Sequence, residues 1–356
     1  VNDVPTNDVL TLARPDILEL QPYQHAAWNP ALERMHANEM PWRATGDDSD
    51  AGLNRYPEPQ PRVLIERLAQ LYDVPVRRIL AGRGSDEAID LLVRAFCRAG
   101  QDQVVICPPT FGYYAVAARI QGAAVREVPL LPADFGLDVA AVIDAGRRSK
   151  LVFLCSPNNP TGQLLDEAAI LEVCRALAGT ALVVLDEAYI EFATRKSLAP
   201  RLTEFPNLVV LRTLSKAYAL AGARCGALLA SDSIVGLLAR ILPPYALPAS
   251  SVEAVLRLTA EPQHRQAQAR IETLRAERER MRARLKALPG VRRILPSDAN
   301  FLLVEFAAPR TALAAACAAG LLVRDLSAHP RLPGCLRLTI GTPEQNERLV
   351  TALERT

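Results

Sequence analysis

Through the middle of the chain, short runs of consecutive apolar residues alternate with longer stretches whose apolar positions recur every three or four residues. The runs at 79–81, 103–107, 123–129, 151–155, 181–185, 208–211 and 225–230 read as strands. Between them, 63–72, 88–98, 110–121, 139–145 and 167–178 have helical spacing, with Val63, Leu64, Leu68 and Leu71 sharing one face of the first. Strands that are apolar throughout, separated by helices, predict a mostly parallel sheet covered by helices on both faces. A proline-rich stretch at 241–250 reads as a hinge, and a long helix at 262–288 follows, with Ala267, Ile271, Leu274, Met281, Leu285 and Leu288 on its stripe. Its interleaved arginines and glutamates read as a solvated face. Beyond it the pattern changes to strands at 301–306, 321–324 and 335–340 and helices at 310–319 and after Thr342, where Thr342, Pro343 and Gln345 spell a capping box.

The predicted class is α/β, with a large domain built on the parallel sheet and a smaller α+β domain. The expected divisions are an N-terminal arm with part of the small domain at 1–46, a large domain at 47–250, and a small domain at 251–356 entered by the long helix. Pro5, Pro15, Pro22, Pro30 and Pro41 make the first forty residues irregular, an arm lying over something else.

Composition narrows the function. At 356 residues and 50% hydrophobic content the chain supplies core for two domains. No apolar run approaches a membrane span, and Asp3, Asp8, Arg14, Asp16 and Glu19 stand where a signal peptide needs an apolar core, so the expectation is a cytosolic protein. A net charge of +2 gives no argument for nucleic acid or an anionic membrane. The seven cysteines form no C-x-x-C pair and read as buried reduced thiols, and the four histidines lack metal spacing, so no metal is expected.

Chemistry concentrates where strands end, the position at which parallel sheets bind ligands. The 79–81 run opens into Gly82-Arg-Gly-Ser-Asp-Glu87, a glycine turn that aims helix N–H groups at an anion. After Cys155 comes Ser156-Pro-Asn-Asn-Pro-Thr-Gly162; after Leu185, Asp186-Glu-Ala-Tyr189; after Leu211, Arg212-Thr-Leu-Ser-Lys216 with Arg224 beyond. A lysine at a strand end can form a Schiff base, and Thr213, Ser215 and Arg224 are donors that suit a phosphate. Read singly, Lys216 is a solvated side chain, the 88–98 helix an ordinary capped helix and Phe111 a core residue. Read together they suggest a Lys216 aldimine with pyridoxal 5'-phosphate: Asp186 holds the pyridinium proton, Asn159 and Tyr189 hydrogen-bond the ring hydroxyl, and Phe111 stacks on the ring.

With these motifs in this order, the chain resembles the fold-type I, aspartate aminotransferase-like enzymes. More narrowly, Pro22-Tyr-Gln24, Asn38-Glu39, Arg55-Tyr-Pro-Glu58, Gly84-Ser-Asp-Glu87, Glu187-Ala-Tyr-Ile-Glu-Phe192, Val323-Arg-Asp325 and Cys335-Leu-Arg-Leu-Thr-Ile-Gly341 are similar to the histidinol-phosphate aminotransferase branch, from about residue 20 to the end. The resemblance implies a pyridoxal phosphate-dependent transaminase of histidine biosynthesis, moving an amino group between L-histidinol phosphate and 2-oxoglutarate by a ping-pong route. It makes Lys216 the aldimine lysine and proton carrier, Asp186 and Tyr189 its catalytic partners, and Ser85, Asp86, Ser215 and Arg224 the phosphate site. It further implies a homodimer in which Tyr56 reaches the phosphate across the interface, and substrate contacts from Tyr23, Asn38, Asn159, Arg324 and Arg337. In this chain His36 and Trp42-Arg43 depart from the branch's usual residues, and Phe111 replaces a tyrosine, removing a hydroxyl from the substrate side. A threonine-phosphate decarboxylase or an aromatic aminotransferase shares the cofactor shell, and a non-catalytic regulatory protein on the same fold is the remote alternative.

Overall fold

The computed structural model describes residues 9–26, 28–29 and 31–355. Asp3, Pro5, Asp8 and Pro30, which entered the sequence reading, lie outside the described residues. Among the described residues two sheets form. The larger contains β1 (Ile79–Gly82), β2 (Gln103–Ile106), β3 (Ala124–Glu127), β4 (Leu151–Cys155), β5 (Leu182–Asp186), β6 (Leu208–Thr213) and β7 (Gly226–Leu229) in the order β1-β7-β6-β5-β4-β2-β3. From β6 to β3 all pairings are parallel; β7 runs antiparallel to both β6 and β1. β4, β5, β6 and β7 are buried at every position, as strands covered on both faces must be.

Helices α1 (Pro15–Glu19), α2 (Arg62–Tyr72), α3 (Ser85–Phe96), α4 (Tyr113–Ile120), α5 (Val139–Gly146), α6 (Glu167–Ala176), α7 (Asp232–Ala239) and α8 (Ala249–Leu258) cover this sheet. One core unites α2, α5 and α6 with one face, and a second unites α3, α4 and α7 with the other. Helix α2 buries Leu64, Leu68 and Tyr72, one turn apart, and ends on Asp73 in the left-handed conformation. Asp138 and Asp166 cap α5 and α6 by accepting from Ala141 and Ala168 backbone N–H groups.

After α9 (Gln263–Lys286), a second, antiparallel sheet of β8 (Val291–Ile294), β9 (Phe301–Phe306), β10 (Arg324–Asp325) and β11 (Cys335–Thr339) takes the order β10-β11-β9-β8. It packs against α9, α10 (Pro309–Ala318) and α11 (Pro343–Leu353), the last opened by the expected Thr342–Gln345 capping box. No helix among the described residues is long and apolar enough to cross a membrane.

The structure corrects several expectations. Residues 9–19 do lie over another part of the chain, but as short helical turns built into its core: Val9, Leu12, Ala13 and Ile17 are buried in the second core, and the Arg14 backbone N–H donates to Ala95. Part of the 241–250 hinge opens α8, and α7 and β8 were not foreseen, because each is short and flanked by proline or charge. Of the 321–324 run only Arg324 is in a strand, the two-residue β10 on a sheet edge, which extends instead to Asp325. Of the seven cysteines, all free, Cys317 is exposed rather than buried.

The α9 arginines are the most informative departure. Arg275 donates to the Glu191 and Phe192 carbonyls at 2.9 and 3.1 Å and also to that of Ala193, while Arg278, itself buried, donates to Phe192 and Ala299. What reads as a solvated face is partly a row of donors clamping the backbone just after Tyr189.

Alternation along β5 and β6 sends neighbouring charges to opposite faces. Glu187 turns to the α2 side, accepting from Ser197 and from the Leu198 N–H at 2.8 Å, and Arg212 meets it there. Arg212 donates to Glu191 at 2.7 Å and stacks 4.4 Å over the Tyr72 ring. Burial pushes the Glu187 carboxyl up, against the pull of Arg212. Arg212→Met leaves two carboxylates without their cation and is expected to cost about 3–5 kcal/mol of stability, read by chemical denaturation; a loss below about 1 kcal/mol would show the pair to be dispensable.

Candidate active site

In the register of the central strands, Cys155 pairs with Asp186 and Asp186 with Leu211, so the carboxyl ends of β4, β5 and β6 form one row. Beyond that row opens a cavity of about 300 Å³. Ser85, Asp86, Phe111, Asn159, Asp186, Tyr189, Thr213, Ser215, Lys216, Arg224 and Arg337 all line it.

At its floor Asp186 is buried, accepting from the Tyr114 hydroxyl at 2.7 Å and from the Ala188 backbone N–H at 3.1 Å. Burial raises its carboxyl above the ordinary range, against the opposing pull of Tyr114, Ala188 and Lys216. Opposite stands Lys216, its ammonium 5.6 Å from the Tyr189 ring centroid. Its side chain reaches solvent through the cavity mouth, yet burial of the amine, and then the Arg337 charge, lower its pKa and favour the neutral, nucleophilic form.

One end of the cavity is a cradle. Helix α3 starts at Gly84 with no side chain capping it, which leaves its first N–H groups pointing outward. Arg224, in the left-handed conformation, donates to Ser215 at 3.4 Å and to Asp86 at 3.3 Å, and Thr213 donates to Ser215 at 3.0 Å. Two glycines make the approach possible: a Cβ at Gly226 would come within 2.8 Å of the Gly84 backbone, and one at Gly84 within 2.9 Å of Arg224 Nη2.

The other end belongs to the second sheet. Arg337 reaches across from β11 to donate to the Asn159 side-chain oxygen, with its guanidinium 5.2 Å over the Phe301 ring. Its Nε is buried without a partner, and burial together with the neighbouring Arg324 weighs against its charge. An under-satisfied cation at a cavity wall is chemically suited to meet an anion.

A family model described as aminotransferase class I and II matches residues 32–353. The chain belongs to this aminotransferase family. A histidinol-phosphate aminotransferase of Stenotrophomonas maltophilia is 48% identical over 354 residues, covering 98% of this chain and 97% of that protein. Among solved structures, a histidinol-phosphate aminotransferase of Sinorhizobium meliloti in complex with pyridoxal-5'-phosphate aligns with a TM-score of 0.74 at 27% identity, over 85% of this chain and 82% of that one. An L-threonine-O-3-phosphate decarboxylase of Porphyromonas gingivalis aligns at 0.72 and 25%, over 85% and 90%.

Four residues expected at this aminotransferase site lie outside the cavity lining. Arg324 pairs with Arg337 across the β10–β11 ladder and stays exposed. Tyr23 is 65% exposed, edge-on to His25. Asn38 and Tyr56 border a separate groove, where Tyr56 stacks on Tyr245 at 4.6 Å. Conversely, Tyr114 and Cys155 belong to the site although the sequence reading passed over them. The signal for Tyr114 was present: with Ala117 and Ala118 it forms the sheet-facing stripe of α4, and a tyrosine buried there must find a hydroxyl partner.

Gly84→Ala tests the cradle. At φ +86°, ψ 178° it is expected to lose about 1–3 kcal/mol of stability in denaturant, more than Gly100→Ala, at φ +70° with nothing near its Cβ. Equal losses would show that the close approach of Arg224 is unimportant.

Proposed function

We propose that this chain moves an amino group between L-histidinol phosphate and 2-oxoglutarate, giving imidazole acetol phosphate and glutamate, with pyridoxal phosphate held in the Lys216 cavity. One observation carries the reading: a nucleophilic amine, a buried carboxylate and an under-satisfied arginine face a single cavity of about 300 Å³. The cavity fits the cofactor. The uncapped end of α3, Ser215 and Arg224 are phosphate donors, Gly84 and Gly226 leave no side chain in its way, and Asp186 suits a cationic ring nitrogen. Pyridoxal phosphate supplies a carbonyl that takes up the amino group and a ring that withdraws electrons from the reacting carbon.

The chain's own residues do the rest. Lys216 offers the amine that holds the cofactor and then shuttles the substrate proton, for which its lowered pKa suits it. Asp186 keeps the ring nitrogen protonated. Tyr189 and Asn159 donate to the ring oxygen; Arg337 occupies the Asn159 oxygen, leaving its amide N–H groups as donors. Phe111 covers a ring face. Arg337, with Arg324 beside it, binds the substrate's anionic group, and a guanidinium fork accepts a phosphate or a carboxylate equally. Since both substrates use that fork they occupy the site in turn, which makes the kinetics ping-pong.

Near-full-length identity of 48% to a relative named for histidinol phosphate, against 25% to the decarboxylase, favours this substrate. A homodimer supports the remaining contacts. A larger cavity, about 1170 Å³, lies away from the chemistry and is lined by Trp28, Leu32, Met35, Tyr56, Val63 and Leu256, an apolar groove suited to a second copy. Tyr56 is held at its edge: its backbone N–H donates to Glu39 at 2.7 Å, and Arg34 and Arg55 pair with that carboxylate. From there Tyr56 serves the partner's phosphate cradle, with Tyr23 and Asn38 beside the substrate entrance. We assign residues 1–46 to an arm with part of the small domain, 47–250 to a cofactor domain and 251–356 to a small domain, and place the enzyme in the cytoplasm.

Loaded with pyridoxal phosphate, the protein is expected to lose its visible absorbance when L-histidinol phosphate alone is added and to regain it with 2-oxoglutarate. No change, or carbon dioxide released from threonine phosphate, overturns the assignment. Lys216→Ala should lower turnover at least about 10²–10⁴-fold, and Arg337→Ala should raise KM for both substrates about 10–100-fold. Leu32→Glu combined with Met35→Glu should shift sedimentation from dimer to monomer and lower activity; an unchanged dimer would place the interface elsewhere.

A further inference from the structure

We propose that Tyr114 is a positioning residue that keeps the Asp186 carboxylate charged and aimed into the cavity, so that one buried hydroxyl sets the charge state of the site. The inference rests on the cofactor reading above only for its second readout.

Tyr114 is fully buried and rigidly held. Its ring stacks on Phe153 of β4, 4.9 Å between centroids and 7° from parallel, and meets Phe111 edge-on at 5.5 Å. The hydroxyl held in this way donates to Asp186 Oδ2 at 2.7 Å and also meets the buried Cys155 thiol. Asp186 Oδ1 is fixed by the Ala188 N–H, so the two donors fix the plane of the carboxylate. The same tyrosine therefore touches Phe111, which covers the ring face, and Asp186, which meets the ring edge.

The groups facing Asp186 are few. Tyr114 comes from α4, Cys155 from the end of β4, Asp86 from α3, Tyr189 from the turn after β5, and Lys216 from the loop after β6. Burial holds Cys155, Tyr189 and Tyr114 in their neutral, protonated forms, and Asp86 works against a second negative charge. Lys216, itself inclined to neutrality, pulls on Asp186 from the cavity, and Tyr114 is the largest stabilising partner of that carboxylate. A charge-assisted hydrogen bond inside a low-dielectric site is worth more than its neutral counterpart, and deleting it leaves a buried carboxylate short of a donor.

The sign follows by linkage. The folded Asp186 carboxyl lies above its ordinary value of 3.8, so its burial costs stability as pH rises and costs nothing once it is protonated. Tyr114→Phe keeps the ring and its stacking but raises that carboxyl further. The stability gap between wild type and variant should therefore be widest at neutral pH and close as pH falls toward 3.8. In loaded protein an Asp186 that keeps its own proton leaves less positive charge on the ring nitrogen. The nitrogen at Lys216 then binds its proton more tightly, and the pH midpoint of the visible absorbance should rise by about one unit.

The experiment compares full-length wild type, Tyr114→Phe, Asp186→Asn and the double variant, by thermal unfolding without cofactor from pH 5 to 8 and by absorbance titration with it. A gap that closes with falling pH, a raised midpoint, and no added effect of Tyr114→Phe on the Asp186→Asn background support the assignment. A pH-independent gap with an unmoved midpoint overturns it and makes Tyr114 a packing residue. If Tyr114→Phe alone does not fold, a folded double variant supports the coupling and an unfolded one overturns it. The unfolding series needs no cofactor, so a protein that never gains visible absorbance would overturn the cofactor reading and leave the Tyr114 result standing.

Discussion

A carboxylate buried beyond the reach of water is tolerable only if its surroundings answer it, and the site is arranged around that demand at Asp186. The backbone supplies one donor through Ala188, helix α4 supplies another through Tyr114, and the lysine loop brings its amine to the far side of the same cavity. The answer is partial, since Asp186 remains above its ordinary range and Lys216 below its own. Two groups each pushed toward neutrality, facing a space that neither fills, form a site prepared for a ligand that brings a compensating charge.

The end of the cavity at α3 obeys a steric rule instead. β7 must run antiparallel between β1 and β6, and its first residue, Gly226, lies against the Gly84 turn and the Arg212 carbonyl. Any side chain there would separate the start of α3 from Arg224. The two glycines thus bring the uncapped start of α3 and Arg224 to one spot, an arrangement suited to an anion.

Much of this was legible in the sequence. Buried parallel strands announce themselves as unbroken apolar runs, and their last residues fall at the ligand edge by topology, so Asn159, Asp186 and Lys216 could be placed together before any coordinate. What could not be read was direction. The pleat turns Asp186 toward Tyr114 and Glu187 toward Arg212, but adjacent acidic residues look alike on paper. Likewise the α9 arginines were indistinguishable from solvent-facing ones, because most of their acceptors are carbonyls some eighty residues away that no helical periodicity reports. Short elements such as α7, α8 and β8 escaped because they rest on tertiary contacts rather than on their own pattern. Tyr23, exposed, and Asn38 and Tyr56, bordering a separate groove, lie away from the cavity although their motifs read like those of the site.

The α9 clamp has a mechanical side. Arg275 and Arg278 grip the backbone immediately after Tyr189, and the same helix packs on the sheet that carries Arg337. The middle of this one helix thus bears on the backbone after Tyr189 and its C-terminal part on the sheet that carries Arg337, so a single rod ties together two walls of the same cavity.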